Sequence, residues 1–252
     1  MIGIGSPTFS LQPVRENLER ISKHFELWEI LSEGETRLGT VDSHIEYGRS
    51  SFGMSFQVHA PMSDVNIGSV YEPMRLHALD EIRDVIDRCR KLEISLVTVH
   101  PGFVNGIAFL NRSKALEMTK VSVKKIAEIS REHSVAVVIE NLPTGINATC
   151  TTASDLLSVV EGTGLQICFD MGHANTAGQL DQFLLHVDKF GNVHLHNNTG
   201  DFDEHSKIDD GTADLRKVVQ SLRRTYRGNI VIEATDLESG VESKKVLEGL
   251  LG

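Results

Sequence analysis

Residues 134–141 read Ser-Val-Ala-Val-Val-Ile-Glu-Asn, a nearly continuous apolar run that ends in a carboxylate and an amide. The run has no alternating polar face, and strands of this kind are buried on both sides in a parallel sheet. Residues 165–170 have the same form and end in Asp170. The two segments predict parallel strands that carry polar groups at their carboxyl ends.

The alternation of apolar strand and amphipathic helix continues along the whole chain. Eight such units in 252 residues, with no linker between them, favour an α/β fold, a (β/α)8 TIM barrel forming one domain over residues 1–252. The predicted strands are 2–4, 25–31, 55–60, 95–100, 134–140, 165–170, 192–196 and 229–234. The predicted helices are 13–24, 41–47, 72–92, 113–133, 152–161, 179–189, 213–226 and 240–251.

Composition limits the kinds of partner. With 25 basic and 35 acidic residues, the net charge of −10 argues against a broadly basic surface for nucleic acid.

Three cysteines without C-x-x-C spacing are typical of a reduced chain, and we read Cys89, Cys150 and Cys168 as structural. The N-terminal residues lack the pattern of a signal peptide, and no apolar run is long enough to span a membrane. We therefore expect a cytoplasmic protein without a membrane partner.

Polar residues gather where the predicted strands end. In a TIM barrel these ends converge on one rim, where active sites are built. Imidazole and carboxylate groups are ligands for zinc, manganese and iron. The predicted metal ligands at the strand ends are His59, His100, Glu140, Asp170, His194, His196 and Glu233, and those in the following loops are His173, Asp203 and His205.

A single histidine at a strand end is more often a loop or capping residue than a ligand. The carboxylates are harder to explain without a cation. Glu140, Asp170 and Glu233 in one dry mouth would repel one another, and no lysine or arginine occupies a strand end. Both His194 and His196 point inward by strand alternation, so either could be the ligand on the seventh strand.

Seven motifs together resemble the xylose isomerase-like TIM barrel superfamily, which includes endonuclease IV (AP endonuclease family 2) and sugar isomerases and epimerases. The resemblance covers essentially the whole chain. The motifs are His59-Ala60-Pro61, His100-Pro101-Gly102, Glu140-Asn141, Asp170-Met171-Gly172-His173, His194-Leu195-His196-Asn197, Asp203-Glu204-His205 and Ile232-Glu233.

The endonuclease IV branch of this superfamily binds three zinc ions, and the chain retains the positions that resemble its additional ligands. The resemblance therefore implies a multi-zinc phosphoester hydrolase in which Glu140 bridges two of the ions. Over this reading and its alternative, the predicted catalytic residues are Glu140, Glu233 and His173. Two departures count against abasic DNA as the substrate. Glu204 stands where that branch usually has an arginine, and residues 62–66 lack the aromatic side chain of its DNA-inserting loop.

The sugar isomerase and epimerase branch is the alternative. It implies a single Mn, Mg or Co ion held by Glu140, Asp170, His194 or His196, and Glu233. Glu140 and Glu233 would flank a sugar or sugar phosphate, and His173 would contact a substrate hydroxyl. A second alternative is a barrel that binds a sugar or a metal without turnover.

Overall fold

Eight parallel strands close into a barrel in the computed structural model, which describes residues 1–106, 112–145 and 147–252. The first strand pairs with both the second and the last, so the described sheet closes on itself. The predicted TIM barrel is confirmed. The strands are β1 Ile2–Gly5, β2 Leu27–Leu31, β3 Ser55–His59, β4 Leu96–Val99, β5 Ala136–Glu140, β6 Gln166–Asp170, β7 Phe190–Leu195 and β8 Ile230–Glu233.

Amphipathic helices surround the barrel and bury one face against it. In the α-helix Leu215–Thr225, for example, Leu215, Val218, Val219 and Leu222 are buried at helical spacing. Within the described ranges, no helix has the length and apolar character needed to cross a membrane. The helices are α1 Val14–Ile21, α2 Asp42–Phe52, α3 Glu72–Lys91, α4 Arg112–His133, α5 Ala153–Val160, α6 Met171–Thr176, α7 Leu180–Leu184, α8 Leu215–Thr225 and α9 Leu237–Leu251.

The region after β6 departs from the predicted single helix over 179–189. The structure has α7 followed by a 3-10 turn, Val187–Lys189, because the hydrogen bonds shorten to three-residue spacing after Phe183. It also has the unpredicted α6, whose first turn is capped by the Asp170 carboxylate, which accepts a hydrogen bond from His173 N at 2.7 Å. The start of α6 is therefore set by a side-chain cap at its N-terminus and not by a periodic row of apolar residues.

Buried side chains form one layer on the outer face of the barrel sheet and another layer inside the barrel. The outer layer is apolar, as in the stacked Phe169 and Phe190 rings, whose centroids are 4.7 Å apart. The inside of the barrel is unusually polar, since TIM barrel interiors are mostly filled by branched apolar residues. Its buried polar side chains are Glu29, Gln57, Thr98, Asn192 and His194.

Candidate metal centre

Strand register brings the predicted ligands together at the carboxyl end of the barrel. Asp170 lies beside His194 across β6 and β7, and Glu233 of β8 lies beside Gly5 of β1. The mouth above them holds a cavity of about 170 Å³. Asp170, His194 and His196 lie buried beneath it. The other seven predicted ligands line it: His59, His100, Glu140, His173, Asp203, His205 and Glu233.

A central group forms around the Nδ1 atom of His194. This atom lies 2.9 Å from Glu140 Oε1, 3.0 Å from Glu233 Oε1 and 4.0 Å from Asp170 Oδ2. Four potential ligand atoms from strands β5, β6, β7 and β8 therefore face one point.

His196 belongs to a different group, although it lies two residues from His194 on the same inward side. Its Nε2 is 3.0 Å from Asp170 Oδ1 and 3.5 Å from Asp203 Oδ1. Its ring stacks on His205, with centroids 4.0 Å apart. Of the two histidines, His194 faces the three carboxylates of the central group.

Two outer groups flank the central one. On one side, His59 Nε2 and His100 Nε2 lie 3.0 and 3.3 Å from Glu140 Oε2. On the other side, Asp203 Oδ2 lies 3.2 Å from His173 Nε2 and 3.3 Å from His205 Nε2. Glu140 is shared between the central group and the first outer group through its two oxygens.

The loop after β7 carries Asp203 and His205 back over the mouth. Its ends are joined by an antiparallel bridge, in which Asn197 N donates to Ser206 O at 3.1 Å and Ser206 N donates to Asn197 O at 2.9 Å. His205 has a φ of 50°, in the left-handed region that few non-glycine residues adopt. The bridge holds this backbone conformation and thereby directs the imidazole toward the cavity.

Glu204 has a structural part in the same loop. Its carboxylate accepts hydrogen bonds from Thr199 N at 2.7 Å and from Thr199 Oγ1 at 2.8 Å. The residue at the position where the endonuclease IV branch has an arginine therefore closes the loop on itself.

The histidines and carboxylates of the mouth stabilise each other's charges. Burial would raise the pKa of the Glu140 carboxyl, but the charge of His194 and hydrogen bonds from neighbouring histidines hold it well below its ordinary value. Burial is likewise outweighed at Glu233, where His194 lowers the carboxyl pKa. At His173 burial opposes protonation, yet nearby carboxylates, first that of Asp170, raise its pKa well above the ordinary value. The carboxylates and histidines named here therefore favour each other's charged forms.

Unpartnered buried atoms test whether a cation fits. Asp170 Oδ2 is buried without a hydrogen-bond partner among the described residues, and so are His100 Nδ1, Asp203 Oδ1 and His205 Nδ1. Buried polar atoms are rarely left in this state. The nitrogen and oxygen donors in each group suit a divalent ion such as zinc or manganese. The residues fit a metal centre, and their individual roles as ligands stay predictions.

Asparagines after the strands brace this arrangement. The side-chain Oδ1 of Asn141 accepts a hydrogen bond from Asp170 N at 2.9 Å, and the backbone carbonyl oxygen of Asn141 lies 2.8 Å from His173 Nδ1. Asn198 Nδ2 donates to Gly172 O at 2.8 Å. These bonds hold the backbone that carries the predicted ligands.

Sequence reasoning missed one carboxylate of the centre. Glu29 of β2 is buried inside the barrel, and its Oε1 lies 2.9 Å from His194 Nε2. The feature of the sequence that could have pointed to Glu29 is that it is a single charged residue within the otherwise apolar strand Leu27–Leu31. Cys168, read as structural, is also buried in the barrel and groups with Glu140 and His194.

Known proteins share this architecture. The chain is 32% identical to the uncharacterized protein MJ1311 of Methanocaldococcus jannaschii in an alignment of 259 positions, gaps included, that covers 99% of this chain and 88% of that protein. A D-tagatose 3-epimerase-like protein superposes with a TM-score of 0.92 at 31% identity, covering 99% of this chain and 96% of that one. The IOLI protein with a bound zinc atom superposes with a TM-score of 0.80 over 99% of this chain and 97% of that one, and its 14% identity shows the fold alone.

The similarity to the D-tagatose 3-epimerase-like protein favours the sugar isomerase or epimerase alternative, and none of the three supports the expected endonuclease IV-like hydrolase. Residues 46–250 match the family described as xylose isomerase-like TIM barrel. The match covers most of the chain and includes all ten predicted ligands. The chain therefore belongs to the xylose isomerase-like TIM barrel family.

Proposed function

We propose that the protein is a sugar isomerase or epimerase that depends on one divalent cation held by Glu140, Asp170, His194 and Glu233. One observation carries the proposal: the His194 Nδ1 atom and the three carboxylates face a common point beneath the cavity. Similarity at 31% identity to a D-tagatose 3-epimerase-like protein over 99% of the chain supports the same class.

Two glutamates are positioned to move protons. Glu140 comes from β5 and Glu233 from β8, on either side of His194, and both line the cavity. Each carboxylate is placed to accept a proton from the carbon next to a carbonyl group of a sugar bound in the cavity. A bound cation would polarise the carbonyl oxygen and make that proton easier to remove.

Stereochemistry follows from which glutamate returns the proton. If one carboxylate removes the proton and the other delivers one to the opposite face, the carbon is epimerised. If the same carboxyl group returns the proton to the neighbouring carbon, the sugar is isomerised. His173 Nε2, which pairs with Asp203 at the cavity wall, is assigned to a substrate hydroxyl.

The cavity lining favours an uncharged sugar over a sugar phosphate. Among the described lining residues there is no lysine or arginine that could pair with a phosphate group. The lining instead combines the polar centre with apolar side chains that can pack on the carbon face of a sugar ring. The apolar side chains of the lining are those of Pro7, Leu31, Met62, Phe103, Leu142 and Pro143.

Proton exchange tests the proposal directly. Chelator-treated protein would be reloaded with Mn²⁺, Co²⁺ or Mg²⁺ and incubated with ketohexoses and ketopentoses in D2O. We expect NMR to show deuterium at one carbon and a new epimer or isomer. Glu233→Gln should slow the exchange by about 10²–10⁴-fold, while Glu132→Gln, on an exposed helix face, should not. Sugar binding without exchange on any panel member would refute the enzyme and favour a binding protein.

A second candidate is an endonuclease IV-like hydrolase of phosphoesters with up to three zinc ions. It is favoured by the two outer groups, His59 with His100 and His173 with Asp203 and His205, since a single-cation site does not need them. The test is elemental analysis of zinc-loaded protein together with release of phosphate from a phosphomonoester and phosphodiester panel. Near three ions per chain with phosphate release would support it, whereas one ion per chain would count against it.

A further inference from the structure

Glu29 contacts the Nε2 atom of His194, the ring nitrogen that does not face Glu140 and Glu233. Glu29 is 2% exposed, and its Oε1 is 2.9 Å from His194 Nε2. The other ring nitrogen, Nδ1, faces Glu140 and Glu233. The imidazole is thus contacted by Glu29 at Nε2 and by the predicted cation ligands at Nδ1.

The second oxygen of Glu29 is anchored by side chains from three other strands. Its Oε2 accepts hydrogen bonds from Gln57 Nε2 of β3, from Asn192 Nδ2 of β7 at 2.9 Å and from Thr98 Oγ1 of β4 at 3.5 Å. Gln57 Oε1 in turn accepts from Asn229 Nδ2 at 2.9 Å. This network fixes the carboxylate and leaves Oε1 facing the imidazole.

We propose that Glu29 is the positioning residue of the cation centre and acts through His194. Glu29 Oε1 can accept a hydrogen bond from Nε2, which retains the proton on that nitrogen and leaves the lone pair of Nδ1 for the cation. Asn192 Nδ2 also lies 3.0 Å from Nε2, but its two protons are directed to Glu29 Oε2 and Thr98 Oγ1. Carboxylates that hold the second nitrogen of a metal-binding histidine orient the ring and make it a stronger ligand. The inference rests on the proposed cation site, and it does not depend on which sugar is the substrate.

Cation affinity of the Glu29→Gln variant tests this role. The amide preserves the shape of the side chain and removes its charge. We expect Mn²⁺ affinity, measured by calorimetry on chelator-treated protein, to fall by about 10–100-fold while thermal unfolding shows a folded protein. The matched control is Glu132→Gln, the same change of side chain on an exposed helix face outside this network, and it should leave the affinity nearly unchanged. Unchanged affinity in Glu29→Gln, or an equal loss in Glu132→Gln, would overturn the proposal.

A second measurement needs no variant. In the Zn²⁺-loaded wild-type protein with ¹⁵N-labelled histidine, two-bond ¹H–¹⁵N correlation spectra report which nitrogen of His194 carries the proton. We expect the proton on Nε2, and a proton on Nδ1 would refute the proposal. Both measurements are separate from the sugar-exchange assay. Loss of affinity in Glu29→Gln without any sugar turnover would refute the proposed function and leave this inference standing.

Discussion

The charge state of His59 should make the metal-free protein less stable as the pH rises from about 6.5 to about 9. The His59 ring is buried, with Nδ1 2.9 Å from Ala60 O and Nε2 3.0 Å from Glu140 Oε2. Both neighbours are hydrogen-bond acceptors. The doubly protonated ring therefore satisfies both contacts, and the neutral ring leaves one of them without a donor.

The magnitude follows from the two pKa values. Burial alone would lower the pKa of His59, but the hydrogen bond and charge of Glu140, with Glu29 and Glu233 nearby, raise it to about 9 from the ordinary 6.5. Because the folded pKa is the higher one, the stabilisation is fully present below pH 6.5 and is lost as the pH rises through 9. The difference corresponds to roughly 3 kcal/mol of unfolding free energy.

Urea unfolding of chelator-treated protein at closely spaced pH values measures this effect. Other histidines contribute in the same direction, since the pKa values of His173 and His205 are also raised. The His59→Gln variant serves as the control because it keeps a polar side chain and removes this titration. We expect the stability difference between wild type and variant to shrink from pH 6.5 to pH 9. Parallel curves over that range would refute the reasoning.

Three further outcomes are expected. Because a histidine must lose a proton to bind a cation, Mn²⁺ affinity measured by calorimetry should fall as the pH is lowered from about 9 to about 6, and a pH-independent affinity would contradict histidine ligation. In Gly172→Ala the new Cβ would lie 2.0 Å from His196 Cε1, so urea unfolding should show a loss of about 1–3 kcal/mol. Gly249→Ala, with no atom within 4 Å, is its control and should not destabilise the protein. Under the single-cation proposal, His205→Ala should leave the zinc content of Zn²⁺-loaded protein at one ion per chain by elemental analysis, whereas loss of an ion would show an outer site and support the hydrolase candidate.

The sequence by itself determined the barrel and the rim on which the polar residues meet. Apolar runs without a polar face, alternating with amphipathic helices, require a parallel sheet covered on its outer face, and Glu140 and Asp170 close two of those runs. Since parallel strands all point the same way, residues at their carboxyl ends share one rim without any further information. Strand ends were predicted less well than strand existence, as at β7, because fraying ends lack a distinctive pattern.

Only the tertiary structure separated residues that share one pattern. His194 and His196 both point inward. Positions two residues apart on a strand differ in depth by about 6–7 Å, so the two histidines meet neighbours from different levels of the barrel. This depth places His194 among three carboxylates and His196 against His205. Glu29 was hidden for a related reason. In a strand buried on both faces, the sequence does not distinguish inside from outside, and closure of the barrel decides which side chains reach its axis.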